Sequence, residues 1–175
     1  LIIQKAVELG VTAVVLAALM AALCTIMTMV IQVPSPMQGY VNLGDCAVLI
    51  SAWMLGPLYG GAAAGIGSAL ADIISGYAVF APGTFVIKAL IAVIAAAILK
   101  ALGSKTKAAP IVASIAGEAW MLLGYFLYES IFLGYGLAAA GSIGGNAIQA
   151  VAGVILASAL YAVLSKVPQI KKAAA

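Results

Sequence analysis

The sequence predicts an all-α integral membrane protein of six spans, built as a single domain over residues 1–175. Three observations carry that prediction. Hydrophobic residues make up 66% of the chain and charged residues 7%, against about 25% charged in a soluble domain, so a water-facing surface cannot be covered. The apolar runs are long and do not alternate as the strands of a membrane barrel do. At about 20 residues per helical span, six spans take roughly 120 residues and leave only short loops.

The first span runs from about Ala6 to Val33 and stops at Pro34-Ser35-Pro36, where ring geometry and missing N–H groups end a helix. A loop through Gly39 and Asn42 follows. The second span, about Gly44 to Leu55, is short for a crossing and closes at Gly56-Pro57, so a tilt or buried end is expected. The third, about Leu58 to Ser75, is rich in small residues ("GGAAAGIGSALA") and ends in the turn signal "SGYAVFAPGTF". The fourth covers about Thr84 to Leu102, before the polar hairpin "GSKTKAAP". The fifth covers about Ile111 to Leu133, and "GYGLAAAGSIGG" breaks it. The sixth covers about Asn146 to Leu164.

Orientation follows from the lysines. Six spans place both termini and the loops after spans two and four on one side, and Lys5, Lys100, Lys105, Lys107, Lys166, Lys171 and Lys172 all fall there. The positive-inside rule makes that side the cytoplasm. Lys88 is the exception. The outward side then carries three loops, 34–43, 76–83 and 134–145.

Function classes narrow in the same way. The net charge of +3 arises from eight lysines and five acids, with no arginine or histidine and only Cys24 and Cys46. Metal chemistry and histidine acid–base catalysis have little to stand on, and the cysteines read as small apolar core residues. No metal site or cofactor is expected.

Asp72, Lys88, Glu118 and Glu129 fall inside predicted spans, where each charge costs on the order of 3 kcal/mol. Asp72 near the end of span three and Lys88 near the start of span four match in depth, so they can pair across the hairpin. Both oppose the helix dipole, as does Glu129, so helix stability does not explain them. An ion pair that fixes packing and a ligand-facing role are both open. Glu118, Leu122, Tyr125 and Glu129 form one face of span five, and Asn146 and Gln149 one face of span six. Asn146 has a competing reading as a helix cap. Asn42 and Asp45, in "YVNLGDC", also read as caps of span two, where a carboxylate is favoured. On span one, Thr25 and Thr28 can bond back within the helix, leaving Gln32 as the suggestive polar residue. The binding candidates are Tyr40, Asn42, Asp72, Tyr77, Lys88, Glu118, Tyr125, Glu129, Asn146 and Gln149. Small residues at four-residue spacing, Ala13, Ala17 and Ala21 with Ala18 and Ala22 beside them, permit close helix approach, as do Gly61, Gly65 and Gly67 on span three.

Together, "AALMAAL", "PSPMQGYVNLGD", "GPLYGGAAAGIGSALADIISGYAVFAPGTFVIK" and "GYFLYE" followed by "GNAIQ" resemble the substrate-binding S component of an energy-coupling factor (ECF) vitamin transporter over nearly the whole chain. The resemblance implies a six-helix bundle in a prokaryotic plasma membrane, binding a vitamin or precursor near its outer face under the outer loops. It implies docking through Ala13, Ala17, Ala18, Ala21 and Ala22 onto a transmembrane coupling subunit driven by two ATPases, with toppling to carry ligand inward. The chain has no GxxxxGK[ST] phosphate loop, so ATP hydrolysis falls to those partners and this subunit is not an enzyme. "YVNLGDC" becomes the hinge side of a lid, with Tyr40 and Asn42 closing over ligand and Asp45 anchoring span two.

The candidates mix aromatics, amides, acids and one lysine, which suits a small, flat, polar heterocycle and disfavours a multiply anionic one. Pyridoxine or a hydroxymethylpyrimidine-like precursor ranks first, riboflavin next. The competing class is an autonomous ion-coupled carrier, whose intramembrane acids relay protons. Such carriers normally use internal repeats, and none is clear here. As an enzyme's paired carboxylates, Glu118 and Glu129 are about 16 Å apart along a helix axis, too far for one reacting centre.

Overall fold

The computed structural model describes residues 2–103, 108–164 and 166, with side chains described from Gly10 onward. The orientation argument's Lys105, Lys107, Lys171 and Lys172, and the side chain of Lys5, lie outside the described residues. Helix α1 (Ile2–Val30) leads into a two-stranded hairpin, β1 (Gln32–Pro34) and β2 (Tyr40–Asn42). Then come α2 (Gly44–Ile74), α3 (Ala81–Leu102) and α4 (Ala109–Leu127). A π-helical turn (Tyr128–Phe132) and a 3-10 segment (Gly136–Ser142) precede α5 (Ile143–Leu164).

Among the described residues, five helices are long and apolar enough to cross a membrane, against the six spans expected. The difference lies in α2, one element where two spans are expected. It is not straight. Gly56 takes φ 73° and ψ −172°, and Pro57 cannot donate to the preceding turn. The chain folds back there: Ser51 Oγ lies 3.1 Å from the Gly60 carbonyl oxygen. Nine residues of continuous helix would separate those positions by about 13 Å. A Cβ on Gly60 would stand 2.5 Å from the Ser51 carbonyl oxygen, so the return arm needs glycine at the crossing.

α2 is the centre of the bundle, packing on α1, α3 and α5, while α3 packs on α4 and α4 on α5. Its first arm is buried from Gly44 to Trp53, and Val48, Leu49, Ile91 and Met121 have no exposed surface. Cys24 and Cys46 are buried free thiols in this core. On the return arm the glycines serve internal contacts. A Cβ on Gly65 would come within 2.7 Å of the Phe85 carbonyl of α3, and one on Gly67 within 2.3 Å of the Ala21 carbonyl of α1. Leu19, Val30, Ile148 and Ile155 point outward and are more than half exposed, as lipid-facing residues are.

The first helix ends earlier than expected. Val33 is in strand β1, paired with Val41, and Pro34 pairs with Tyr40. The loop 34–43 is thus the turn and second strand of a hairpin, with Gln38 at φ 61° and Ser35 N–H donating to Gly39 O at 2.8 Å.

Candidate functional site

Beneath the hairpin lies a cleft of about 400 Å³, counted to its open mouth. Six parts of the chain line it. The hairpin supplies Ser35, Gly39, Tyr40 and Asn42; the end of α2 supplies Asp72; the turn before α3 supplies Phe80 and α3 itself Thr84. Tyr125 and Glu129 come from α4 and its π turn, and Asn146 and Gln149 from α5. Tyr40, Asn42, Asp72, Tyr125, Glu129, Asn146 and Gln149, distant in sequence, thus meet in one place.

The hairpin is tied down at its tip and base. Tyr40 Oη donates to Asp72 Oδ1 at 2.5 Å, and its ring lies 4.6 Å from that of Tyr77. Burial, and then acceptance of its proton by Asp72, hold the Tyr40 phenol well above the usual tyrosine range. Gln32 Nε2 donates to Ser75 Oγ at 3.0 Å. Under the second strand, the Asn42 N–H donates to Gln149 Oε1 at 2.8 Å. Tyr77 therefore acts behind Tyr40 and does not line the cleft.

A second polar layer sits deeper. Lys88 Nζ donates to Asp45 Oδ1, and Gln149 Nε2 donates to Asp45 Oδ2 at 2.6 Å. Lys88 and Asp45 are 1% and 0% exposed, so this is a closed ion pair and not a cation offered to the cleft. The pairing of Asp72 with Lys88 across the hairpin is thereby corrected: Asp72 turns to Tyr40, and Asp45 takes the lysine. The cap reading of Asp45 is corrected too. Asn42 Oδ1 accepts the Gly44 N–H at 2.8 Å, leaving the Asp45 carboxylate free to point inward. Asn146 is not the cap of its helix, because α5 begins at Ile143, and it lines the cleft from the first turn.

Glu118 does not reach the cleft. It is 2% exposed, and neither carboxyl oxygen has a hydrogen-bond partner among the described residues. It shares with Asp45 the space that Gly153 leaves open, since a Cβ there would lie 3.0 Å from Asp45 Cβ and 3.2 Å from Glu118 Oε1. Glu129 is 3% exposed and sits in the π turn, a helix irregularity common at functional sites. There it accepts a hydrogen bond from Ser142 Oγ at 2.6 Å. Ser35, Gly39, Phe80, Thr84 and Ser142 were not among the sequence candidates. Phe80 and Thr84 carry no charge, and only their place around the Ala81-Pro82-Gly83 turn marks them.

A second concavity opens on the other side of α2. It spans about 1200 Å³, open space included, between α1 and the return arm. Ala17, Ala18, Ala21 and Ala22 line one wall and Tyr59, Ala62, Ala63, Ile66 and Leu70 the other. Ala13 is half-buried and lies outside it. The Thr25 hydroxyl bonds back to the Ala21 carbonyl at 3.0 Å and across to that of Gly67 at 2.8 Å.

A bundle of membrane-length helices with a polar cleft beneath a hairpin has the form of a membrane ligand-binding protein. Residues 8–166 match the family described as the ECF-type riboflavin transporter, S component, and the chain belongs to that family. It is also 38% identical over 143 residues to a Pyrococcus woesei protein described as an uncharacterized protein in the gap 3′ region, covering 81% of this chain and 94% of the relative. The chain is therefore the substrate-binding subunit of an ECF transporter, a multi-pass membrane protein that takes part in vitamin uptake and is not an enzyme.

Proposed function

We propose that the cleft captures riboflavin from outside the cell and that the α1–α2 groove docks on the coupling subunit of an ATPase-driven module, which topples the bundle to deliver ligand inward. The family match over residues 8–166 carries this reading. It moves riboflavin ahead of pyridoxine and of a hydroxymethylpyrimidine-like precursor, which composition alone ranks first. A cleft walled by the hairpin and four helices suits it. So does the mixture of rings (Tyr40, Phe80, Tyr125) with fixed amides (Asn146, Gln149): a flat heterocycle stacks on the former and is oriented by the latter. In this reading the two arms of α2 are separate crossings, six in all. Both termini then face the cytoplasm of a prokaryotic plasma membrane.

Titration of purified protein with riboflavin, followed by quenching of flavin fluorescence, tests the ligand. One flavin bound per chain, with no displacement by excess pyridoxine or hydroxymethylpyrimidine, is expected; displacement by either overturns the assignment. Uptake should require co-expression of the coupling subunit and ATPases. Uptake by this chain alone, responding to a proton or sodium gradient, would make it an autonomous carrier instead.

A further inference from the structure

Glu118 lies midway along α4, away from the cleft, and is 2% exposed. Neither Oε1 nor Oε2 has a hydrogen-bond partner among the described residues. The charged groups that act on it are Asp45 from α2 and Lys88 from α3. From α5 come Gln149, which donates to Asp45 Oδ2 at 2.6 Å, and Gly153. A Cβ on Gly153 would stand 3.2 Å from Glu118 Oε1, 3.7 Å from its Cδ and 3.0 Å from Asp45 Cβ. Both acids therefore flank one point on α5.

Lys88 is already committed to Asp45, so one positive charge answers two acidic groups. A carboxylate closed into a core without a partner is costly and calls for a counter-charge. A proton supplies the charge but not the contacts: it sits on one oxygen, adds an O–H donor and leaves both oxygens without a protein partner. A small metal cation lying against the carboxyl supplies the charge and satisfies both oxygens, and hard cations take oxygen ligands. One charge covers the deficit. Among the described residues no group of three or more acids, histidines or cysteines stands ready for a multiply charged metal.

We propose that Glu118, with Asp45 beside it, holds a monovalent metal cation of the sodium type as the counter-ion of the bundle core. Glu118 offers its two unpartnered oxygens. Asp45 keeps Lys88 and Gln149, and each of its oxygens retains a further lone pair. Gln149 also accepts the Asn42 N–H at 2.8 Å, so the ion steadies the layer on which the hairpin rests. The inference is independent of which vitamin the cleft takes.

Thermal unfolding of the purified, ligand-free protein in detergent provides the test, with sodium chloride increased and choline chloride holding the ionic strength constant. At neutral pH the wild-type midpoint should rise saturably by about 4 °C or more, since an ion that binds only the folded state stabilises it by mass action. Glu118→Gln keeps the size of the side chain, removes its charge and should abolish the sodium response. The wild-type curve stands even if the variant fails to fold. No sodium-specific rise in wild type, or a rise of equal size in Glu118→Gln, overturns the site. The same titrations repeated across pH separate the other source of positive charge. A difference between wild type and variant that follows pH and ignores sodium means that a proton balances Glu118, and it overturns the metal site.

Discussion

The two concavities of this protein share one element and little else. The cleft under the hairpin spans about 400 Å³, open mouth included, between tyrosines, amides and acids. The groove between α1 and the return arm of α2 spans about 1200 Å³, open space included, and is walled by alanines and larger apolar side chains. A small ligand is oriented by a few fixed polar groups in a dry pocket. A helix in lipid is gripped by small residues that let backbones approach. The return arm of α2 serves both, because Tyr59 to Leu70 form the groove wall and Asp72, within a turn of Leu70, reaches the cleft. The groove wall and the residue bonded to Tyr40 thus lie on one helical arm.

The largest expected effect is on the frame that supports both sites. Lys88→Met leaves Asp45 as a buried, unpaired charge, a loss of about 3–5 kcal/mol for such pairs. Thermal unfolding should shift sharply, with flavin binding and uptake lost together. Adding Asp45→Leu to Lys88→Met should recover much of the stability, since replacing both partners with apolar groups is often neutral. A double variant no more stable than the single one would mean that Asp45 matters for more than its partner.

Next in size is a change that separates the two sites. Ala18 and Ala22 are exposed and line the groove, whereas the Ala21 carbonyl already packs against Gly67. Ala18→Trp or Ala22→Trp fills the groove without touching the cleft. Flavin affinity should stay as in wild type, while uptake by cells carrying the whole transporter should fall tenfold or more. Normal uptake with a filled groove would end its assignment as a docking face.

A smaller effect is expected at Gln149, whose side chain joins the hairpin to the deep layer. Gln149→Leu removes the acceptor of the Asn42 N–H and a donor to Asp45, and an unsatisfied buried group costs about 1–3 kcal/mol. Ligand should leave about tenfold faster. An unchanged off-rate would show that Tyr40 and Asp72 hold the hairpin without it.

These contrasts separate what is legible in the sequence from what is not. The spans are legible because lipid imposes long apolar runs, and Gly56-Pro57 already marks the break in α2. The ion pair is not, because depth along a hairpin matches Lys88 to Asp72 equally well. Choosing Asp45 requires knowing that the start of α2 meets Lys88 of α3 while Asp72 turns to Tyr40. Glu118 and Glu129 share a helical face, yet the bundle sends one to the cleft and buries the other beside Gly153. Which helices stand opposite is a tertiary fact that periodicity does not contain. The hairpin 32–42 was hidden by its prolines, which read as a stop and a loop, although Pro34 pairs at the end of a two-stranded ribbon, where an edge position accepts it.

The mildest variant bears on the lid itself. Tyr40→Phe keeps the ring against Tyr77 and deletes only the hydroxyl bonded to Asp72. Because burial and Asp72 raise the pKa of this phenol in the folded protein, the unfolded chain loses the proton first, at about pH 10. The hydroxyl's contribution is then complete below that pH and declines as pH rises beyond it. Unfolding of ligand-free wild type and Tyr40→Phe should therefore differ by a constant margin from pH 7 to about 9.5, and the margin should shrink above about pH 10. A margin that stays flat to high pH would mean that Tyr40 ionises equally in both states, and that the latch to Asp72 contributes nothing to holding the hairpin over the cleft.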